Sequence, residues 1–149
     1  MTQHRVTVRW ERAGGDFSPA AFDPSHQWLT DGGVRIAASS APALQGMRAR
    51  LNPQEALVAA LASSHMLAFL AVAAQERLVV DHYEDSATGA LENDADGKPW
   101  LAHAVLRPRV TWAPGSGAGA TLLSLLHHRA HGESIIARSV RTAVTVEPA

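Results

Sequence analysis

Residues Asn52 to Leu78, NPQEALVAALASSHMLAFLAVAAQERL, are apolar on almost every side and open with a strong helix start. A helix that is apolar all round belongs in an interior. This stretch is therefore expected to be a buried central helix around which the other elements are arranged. Asn52 is a favoured N-cap, Pro53 suits the first helical position, and Glu55 stands where it can complete a capping box with Asn52. The far end is expected between Gln75 and Leu78, where Glu76 and Arg77 return to solvent. Ser63, Ser64 and His65 interrupt the apolar run at its centre. Buried polar groups need hydrogen-bond partners, so the trio marks either a satisfied core network or a site.

Ala56 to Ala74 comes close to the ~20 residues that span a bilayer. It is rich in alanine rather than leucine, carries its polar trio at the midpoint, and has no aromatic or basic belts at its ends. A core helix, with no membrane association, is the expectation.

The whole chain has 149 residues, 46% of them hydrophobic, enough for one domain spanning residues 1–149 with a real core. Thirteen basic against fourteen acidic side chains give a net charge of −1, which provides no electrostatic footprint for nucleic acid. Cysteine is absent, which excludes a disulfide framework, a thiolate metal site and thiol chemistry by this chain. The start, MTQHRVTVRWER, lacks an apolar stretch of signal-peptide length, and a cytoplasmic protein is expected.

Working outward from the helix, His4 to Arg12 alternates, with Val6, Val8 and Trp10 on one face, and reads as a half-buried strand. His26 to Thr30, the turn Asp31-Gly32-Gly33 and Val34 to Ala38 read as a hairpin. Ser39 to Arg50 reads as loop. After the helix, Val79 to Leu91 reads as one strand, and Asn93 to Gly97 as a turn. Trp100 to Trp112 reads as another strand, with Pro108 implying an edge position or a bulge. Ala120 to His131 reads as a second, shorter helix ending at Gly132, and Val140 to Val146 as a closing strand. This order predicts an α+β architecture with a largely antiparallel sheet. One sheet of a chain this size covers a helix apolar on all sides poorly, so a second copy is expected against it, in a homodimer.

Two separated motifs carry a resemblance. NPQEALVAALASSHMLAFL resembles the central-helix signature of the OsmC/Ohr family of organic-hydroperoxide reductases, close to NPEELLAAALASCHMLxFL. HHRAHGESIIARSVRTAVTVEP resembles the same family's second motif, close to HxxAHxxCFIANSVxTEVxV. HQWLTDGG is similar to the family's HxWxFDGG, and YEDSATGALENDADGKPWLAHAVLRPRV has its cadence. The resemblance covers nearly the whole chain. It implies the OsmC-like fold, with largely antiparallel sheets around a long central helix, and an intertwined homodimer with its sites at the subunit interface.

In that family a cysteine on the central helix attacks the peroxide oxygen, and a second cysteine after the short helix resolves the sulfenic acid as a disulfide. A glutamate and an arginine hold the peroxide and lower the thiol pKa, and dithiols reduce the disulfide. Carried over by position, the reactive cysteine falls at Ser64, the resolving cysteine at Ser134, the glutamate at Gln54 and the arginine at Pro24. A serine hydroxyl is a far weaker nucleophile than a thiolate and has no sulfenic-acid cycle. The expectation is an OsmC/Ohr-like protein without thiol peroxidase activity that keeps the interfacial pocket for a small apolar ligand. Ser64, His65, Trp28, His131 and Ser134 are the candidate ligand contacts. Ser64, Ser134 and Gln54 are the altered catalytic positions. No cofactor is implied. The alternatives are a hydrolase using Ser64 or a histidine, a structural or interaction partner of a cysteine-bearing relative, and a Cys→Ser variant of an active reductase.

Other constellations have plainer readings beside them. His127 and His131 are spaced i, i+4 on the short helix, with His128 next to the first, a spacing that can share a metal. With no clear carboxylate partner placed nearby in sequence, interface or capping histidines are expected, and no metal. Ser64 and His65, adjacent on a helix, point about 100° apart and do not form a nucleophile–base pair, although Ser64 and His131 can meet across a fold. Gly115 to Gly119 precedes a helix but lacks the Lys-Ser/Thr ending of a phosphate loop. Of Trp10, Trp28, Trp100 and Trp112, three fall on apolar strand faces and are expected in cores. Trp28, near the Pro24 loop, is the pocket candidate.

Overall fold

The computed structural model describes residues 2–149. Its contacts form two units, Met1–Ala56 and Leu57–Ala149. The long helix α1, Pro53–Gln75, starts in the first and runs on in the second.

The N-terminal unit is a three-stranded antiparallel sheet in the order β1 (Val6–Arg9), β2 (His26–Thr30), β3 (Arg35–Ala38). The expected hairpin forms as read, with Trp28 opposite Ile36 and the Gly33 N–H donating to the Thr30 carbonyl across the turn. β1 is shorter than the alternation suggested and more exposed. Val6 and Val8 are 55% and 63% accessible, so the strand expected to be half-buried is an exposed edge. Trp10 lies just beyond its end, where the indole N–H donates to the Asp23 carbonyl at 2.7 Å. The Ser39–Arg50 loop holds a single 3₁₀ turn, Pro42–Leu44, and then Leu51 bridges to Ala38. Gly46 closes this loop because a Cβ there would stand 1.5 Å from the Ser40 carbonyl oxygen.

The helix start follows the sequence closely. The Glu55 N–H donates to Asn52 Oδ1 at 2.9 Å, and the Asn52 N–H donates back to Glu55 Oε2 at 3.3 Å. This reciprocal pair is a capping box. At the far end Arg77 adopts a left-handed conformation (φ 58°). The Leu78 N–H reaches the Ala73 carbonyl and the Arg77 N–H that of Ala74, which together form a Schellman stop.

The second unit packs α1 and α2 (Ala120–Glu133) with two small sheets. β4 (Val80–Asp85) pairs antiparallel with β7 (Pro108–Trp112). β5 (Thr88–Asn93) and β6 (Pro99–Leu106) are antiparallel, and β8 (Ala143–Val146) joins β6 in parallel. Two expected single strands thus each divide. The chain changes sheets between Asp85 and Thr88, and again at Arg107. At the second crossing the Arg107 N–H leaves the ladder and donates to Asp85 Oδ1 at 2.7 Å. Pro108, which has no N–H to offer a ladder, starts the next strand.

Two apolar clusters hold this unit together. Phe69, Val72, Ala73, Leu126 and Ala130 form one, and Leu61, Ala104 and Leu106 the other. Burying a side chain such as Phe69 or Leu61 contributes about 1.5–3 kcal/mol. Gly89 lets β5 lie close to α1, since a Cβ there would meet Val58 Cγ2 at 2.6 Å. The buried residues of α1 are Leu61, His65, Phe69, Val72 and Ala73, a single stripe at helical spacing. Within one chain the burial of α1 is one-sided: Ser63 is exposed and Leu67 is 63% accessible, on a helix that a second copy was expected to cover in part. α1 is long and apolar enough to cross a bilayer, and its buried stripe makes it the core helix of this unit. The architecture is α+β, as expected.

Candidate functional site

The polar centre of α1 resolves into three different situations. Ser63 is exposed and its hydroxyl donates to the Ala60 carbonyl one turn back, at 3.3 Å. Ser64 is half-buried. The Ser134 hydroxyl donates to Ser64 Oγ at 3.0 Å, and the Ile136 N–H donates to the same oxygen at 3.3 Å. Ser134 is positioned as the residue that ends α2. Its own N–H donates to the His131 carbonyl, and it is 1% exposed. The two serines expected to stand at one site are therefore in direct contact.

That arrangement bears on nucleophilic chemistry. A hydroxyl becomes a useful nucleophile when a base takes its proton. Ser64 instead accepts from two donors, and among the described residues no histidine hydrogen-bonds to it. His131, the base the sequence made available, is half-buried with its Nδ1 unpartnered.

His65, the third member of the trio, pairs elsewhere. Its Nε2 lies 3.1 Å from Nδ1 of His127, and the rings stack within 10° of parallel. Phe69 stacks on His127 with ring centroids 4.3 Å apart. The rings are 1% and 3% exposed. Burial lowers the His65 pKa to about 4, with smaller contributions from His127 and His131, and burial alone brings His127 to about 4. Both imidazoles are therefore neutral near pH 7, and a single proton occupies the contact between them. His65 Nδ1 and His127 Nε2, the outer nitrogens of the pair, are buried without partners. A cavity of about 230 Å³ lies beside His127, His128 and His131. Among the described residues no three metal-ligating side chains converge.

An apolar cavity of about 550 Å³ lies within the N-terminal unit. Trp10, Phe17, Phe22, Pro24, Leu44 and Pro53 supply most of its apolar wall, and His26, Ser39, Ser40 and Gln54 its polar groups. Its aromatic side is ordered by contacts among its own rings, with Trp10 5.8 Å from Phe17 and Phe17 6.0 Å from Phe22. Gln54 Oε1 is buried without a hydrogen-bond partner. The His26 Nδ1–H donates to the Pro24 carbonyl at 2.8 Å, the Ser40 hydroxyl donates to that of Leu44 at 2.7 Å, and Ser39 Oγ accepts the Met47 N–H at 3.2 Å.

The predicted site residues thus separate into groups. Gln54 and Pro24 line the aromatic-walled cavity. Ser64 and Ser134 meet each other, and His65 meets His127. Trp28 lies in β2, tilted against His26, and is not on the cavity wall. Trp10, expected in a core, takes that place. Its signal was the break in alternation at Ala13-Gly14-Gly15, which releases the chain after β1 toward Phe17 and Phe22.

Comparison with known proteins places these findings in a family. The OsmC-like protein family profile matches residues 46–149. An OsmC-like protein of unknown function from Vibrio cholerae superposes with a TM-score of 0.95 at 38% identity, covering 100% of both chains. An organic hydroperoxide resistance protein from Legionella pneumophila has a TM-score of 0.73 at 15% identity, covering 99% of this chain and 96% of its own. The organic hydroperoxide resistance protein OhrB of Bacillus subtilis has a TM-score of 0.72 at 19% identity, over 99% and 98%. At those lower identities the likeness is one of fold, and the fold is the OsmC-like one expected from the two motifs. No curated protein matches the sequence.

Proposed function

This chain belongs to the OsmC-like protein family, and we propose that it is a member that holds a small apolar molecule and carries out no thiol-dependent peroxide reduction. The single observation that carries the binding half is the aromatic-walled cavity of about 550 Å³, a volume within the range of small-molecule sites. The chemical half rests on composition: no cysteine exists to form a sulfenic acid or a disulfide. The serines at the two family cysteine positions donate and accept one hydrogen bond between themselves. Relatives of the same fold are described as organic hydroperoxide resistance proteins. Here that family's fold is retained without its sulfur.

The hydrolase alternative is weakened by the donors that converge on Ser64. A homodimer in the cytoplasm remains part of the proposal. It is supported by apolar side chains that a single chain leaves exposed, among them Leu67 and Ile135 at 63% and 73%.

Two measurements test this reading. The purified chain, supplied with cumene hydroperoxide and dithiothreitol, is expected to consume no more peroxide than buffer does; robust turnover overturns the loss of activity. Native mass spectrometry is expected to find a dimer that retains a noncovalent small apolar molecule. A bare monomer that no small apolar compound stabilises against heat would sink the binding reading.

A further inference from the structure

We infer that the stacked His65–His127 pair is a proton-operated latch between α1 and α2: a proton entering the pair swings α2 off α1 while the sheet of β5, β6 and β8 stays folded.

Polar contacts join α1 and its end to α2 at three places: Ser64 with Ser134, His65 with His127, and Arg129 with Gln75 and Glu76. The first is neutral, and the third lies half exposed at the surface. The middle contact sits in the core and can take up a proton. Nothing around it can hold an imidazolium. Beside His65, α1 turns Leu61, Phe69, Val72 and Ala73 inward. β4 and β7 bring Tyr83, Val110 and Trp112 to the cluster that contains Phe69, and β8 brings Val144 and Val146 to the cavity beside His127. Burial pushes the Tyr83 phenol up, so it stays uncharged. Asp85 on β4 accepts the Arg107 N–H and acts on neither imidazole. α2 adds His128 on the same cavity and His131, whose ring lies 6.4 Å from that of His65 and whose charge would repel one there. Arg129 and Glu133 of α2 pair with each other at the surface.

A first added proton therefore leaves a buried charge without a counter-charge, the costly form of burial. A proton on both rings is worse. The 3.1 Å contact has room for one N–H between the two nitrogens, and two imidazolium rings would set two donors face to face. Separation relieves both, because in water each ring titrates near its ordinary value.

α2 is the member that can move. Of its 14 residues, Leu126, His127 and Ala130 are buried. Its N-cap, Gly119, makes no side-chain capping bond, and its first turn has no acidic residue, so its start is weakly held. Gly115 and Gly117, both at positive φ, precede it in a loop that can reorient. α1 by contrast has its capping box and its Schellman stop, and supplies buried residues to both apolar clusters. Opening of α2 also parts Ser134 from Ser64.

Amide hydrogen exchange of the full chain at about pH 7 and about pH 5, expressed as protection factors, tests this. The amides of Leu123–Ala130 are expected to be at least about tenfold less protected than those of Leu101–Val105 in β6 at both pH values, the mark of an opening short of global unfolding. One imidazole freed by opening raises the open population about twentyfold between the two pH values, and protection in α2 is expected to fall by at least that factor. In His65→Leu with His127→Phe the fall is expected to shrink below about threefold. Equal protection in α2 and β6 at both pH values means that α2 leaves only when the whole chain unfolds, and overturns the latch. Protection in α2 that does not change with pH means that opening takes up no proton, and overturns it as well. The comparison on the unaltered chain stands even if the variant folds poorly.

Discussion

The hydroxyl of Ser134 donates to that of Ser64 across 3.0 Å, joining the middle of α1 to the residue that ends α2. The two positions are 70 residues apart in sequence. Their side chains are close enough that sulfur in both would bond: the paired Ser64→Cys, Ser134→Cys variant is predicted to oxidise to an intramolecular disulfide. Mass spectrometry under non-reducing conditions would find it two hydrogens lighter than the reduced form. A closed loop of that length is worth about 2–4 kcal/mol against denaturant. A variant that keeps two free thiols after oxidant treatment would show that the side chains do not face each other.

Removing the acceptor alone is predicted to cost more than removing both partners. Ser64→Ala leaves the Ser134 hydroxyl and the Ile136 N–H without the oxygen they share, a loss of about 1–3 kcal/mol. Adding Ser134→Ala to it takes away one stranded donor, so the second substitution is expected to recover part of the loss. Urea titrations of the single and double variants measure this. Strict additivity would argue against the contact.

The buried histidine pair sets a pH dependence whose sign follows from burial. His65 and His127 titrate near 4 in the folded chain, against about 6.5 unfolded. Between those values the unfolded chain binds more protons, so stability falls as pH drops from about 6.5 to about 4 and flattens below. Each ring that titrates contributes a slope of about 1.4 kcal/mol per pH unit within that window. Denaturant midpoints across pH 4 to 7 are predicted to fall with acid, and His65→Leu with His127→Phe to flatten the fall. A slope unchanged by the paired substitution would assign the acid sensitivity elsewhere.

The capping box gives a local test at the start of the long helix. Asn52→Ala removes the acceptor for the Glu55 N–H and is predicted to cost about 1 kcal/mol, with Asn52→Gly costing only a few tenths. Thermal melts of both variants separate lost capping from a general disturbance. Equal losses for alanine and glycine would contradict the capping role.

What the sequence disclosed follows the range over which each signal acts. The capping box, the hairpin turn and the helix stop are local, and all three formed where Asn52, Asp31-Gly32-Gly33 and Gln75–Leu78 placed them. The sheet change at Arg107 was hidden because the alternation of Trp100 to Trp112 continues through it, and the one between Asp85 and Thr88 because the acidic residues there already blur the pattern. Tyr83 and Trp112 keep their apolar faces whichever sheet their strand joins, and Pro108 marked a break without saying that the partner strand changes. The contact of His65 with His127 spans 62 residues, and no local pattern encodes it. The cavity was hardest to foresee. Its wall draws on Trp10, Phe17, Pro24, Leu44 and Gln54, residues scattered through irregular segments whose mutual approach no periodicity reports. Gln54 was singled out by the family motif, and its place on that wall could be read only from coordinates.

Ligand binding in the N-terminal cavity places an apolar molecule beside Trp10 and Gln54 and away from Ser64. Titrating the isotope-labelled chain with 4-butylbenzyl alcohol and following amide and indole N–H resonances addresses this directly. The largest shifts are predicted at the Trp10 indole N–H and the Gln54 side-chain amide, with Ile136 beside Ser64 unmoved. Shifts centred instead on Ile136 and Ser134, or none at saturating alcohol, would contradict it.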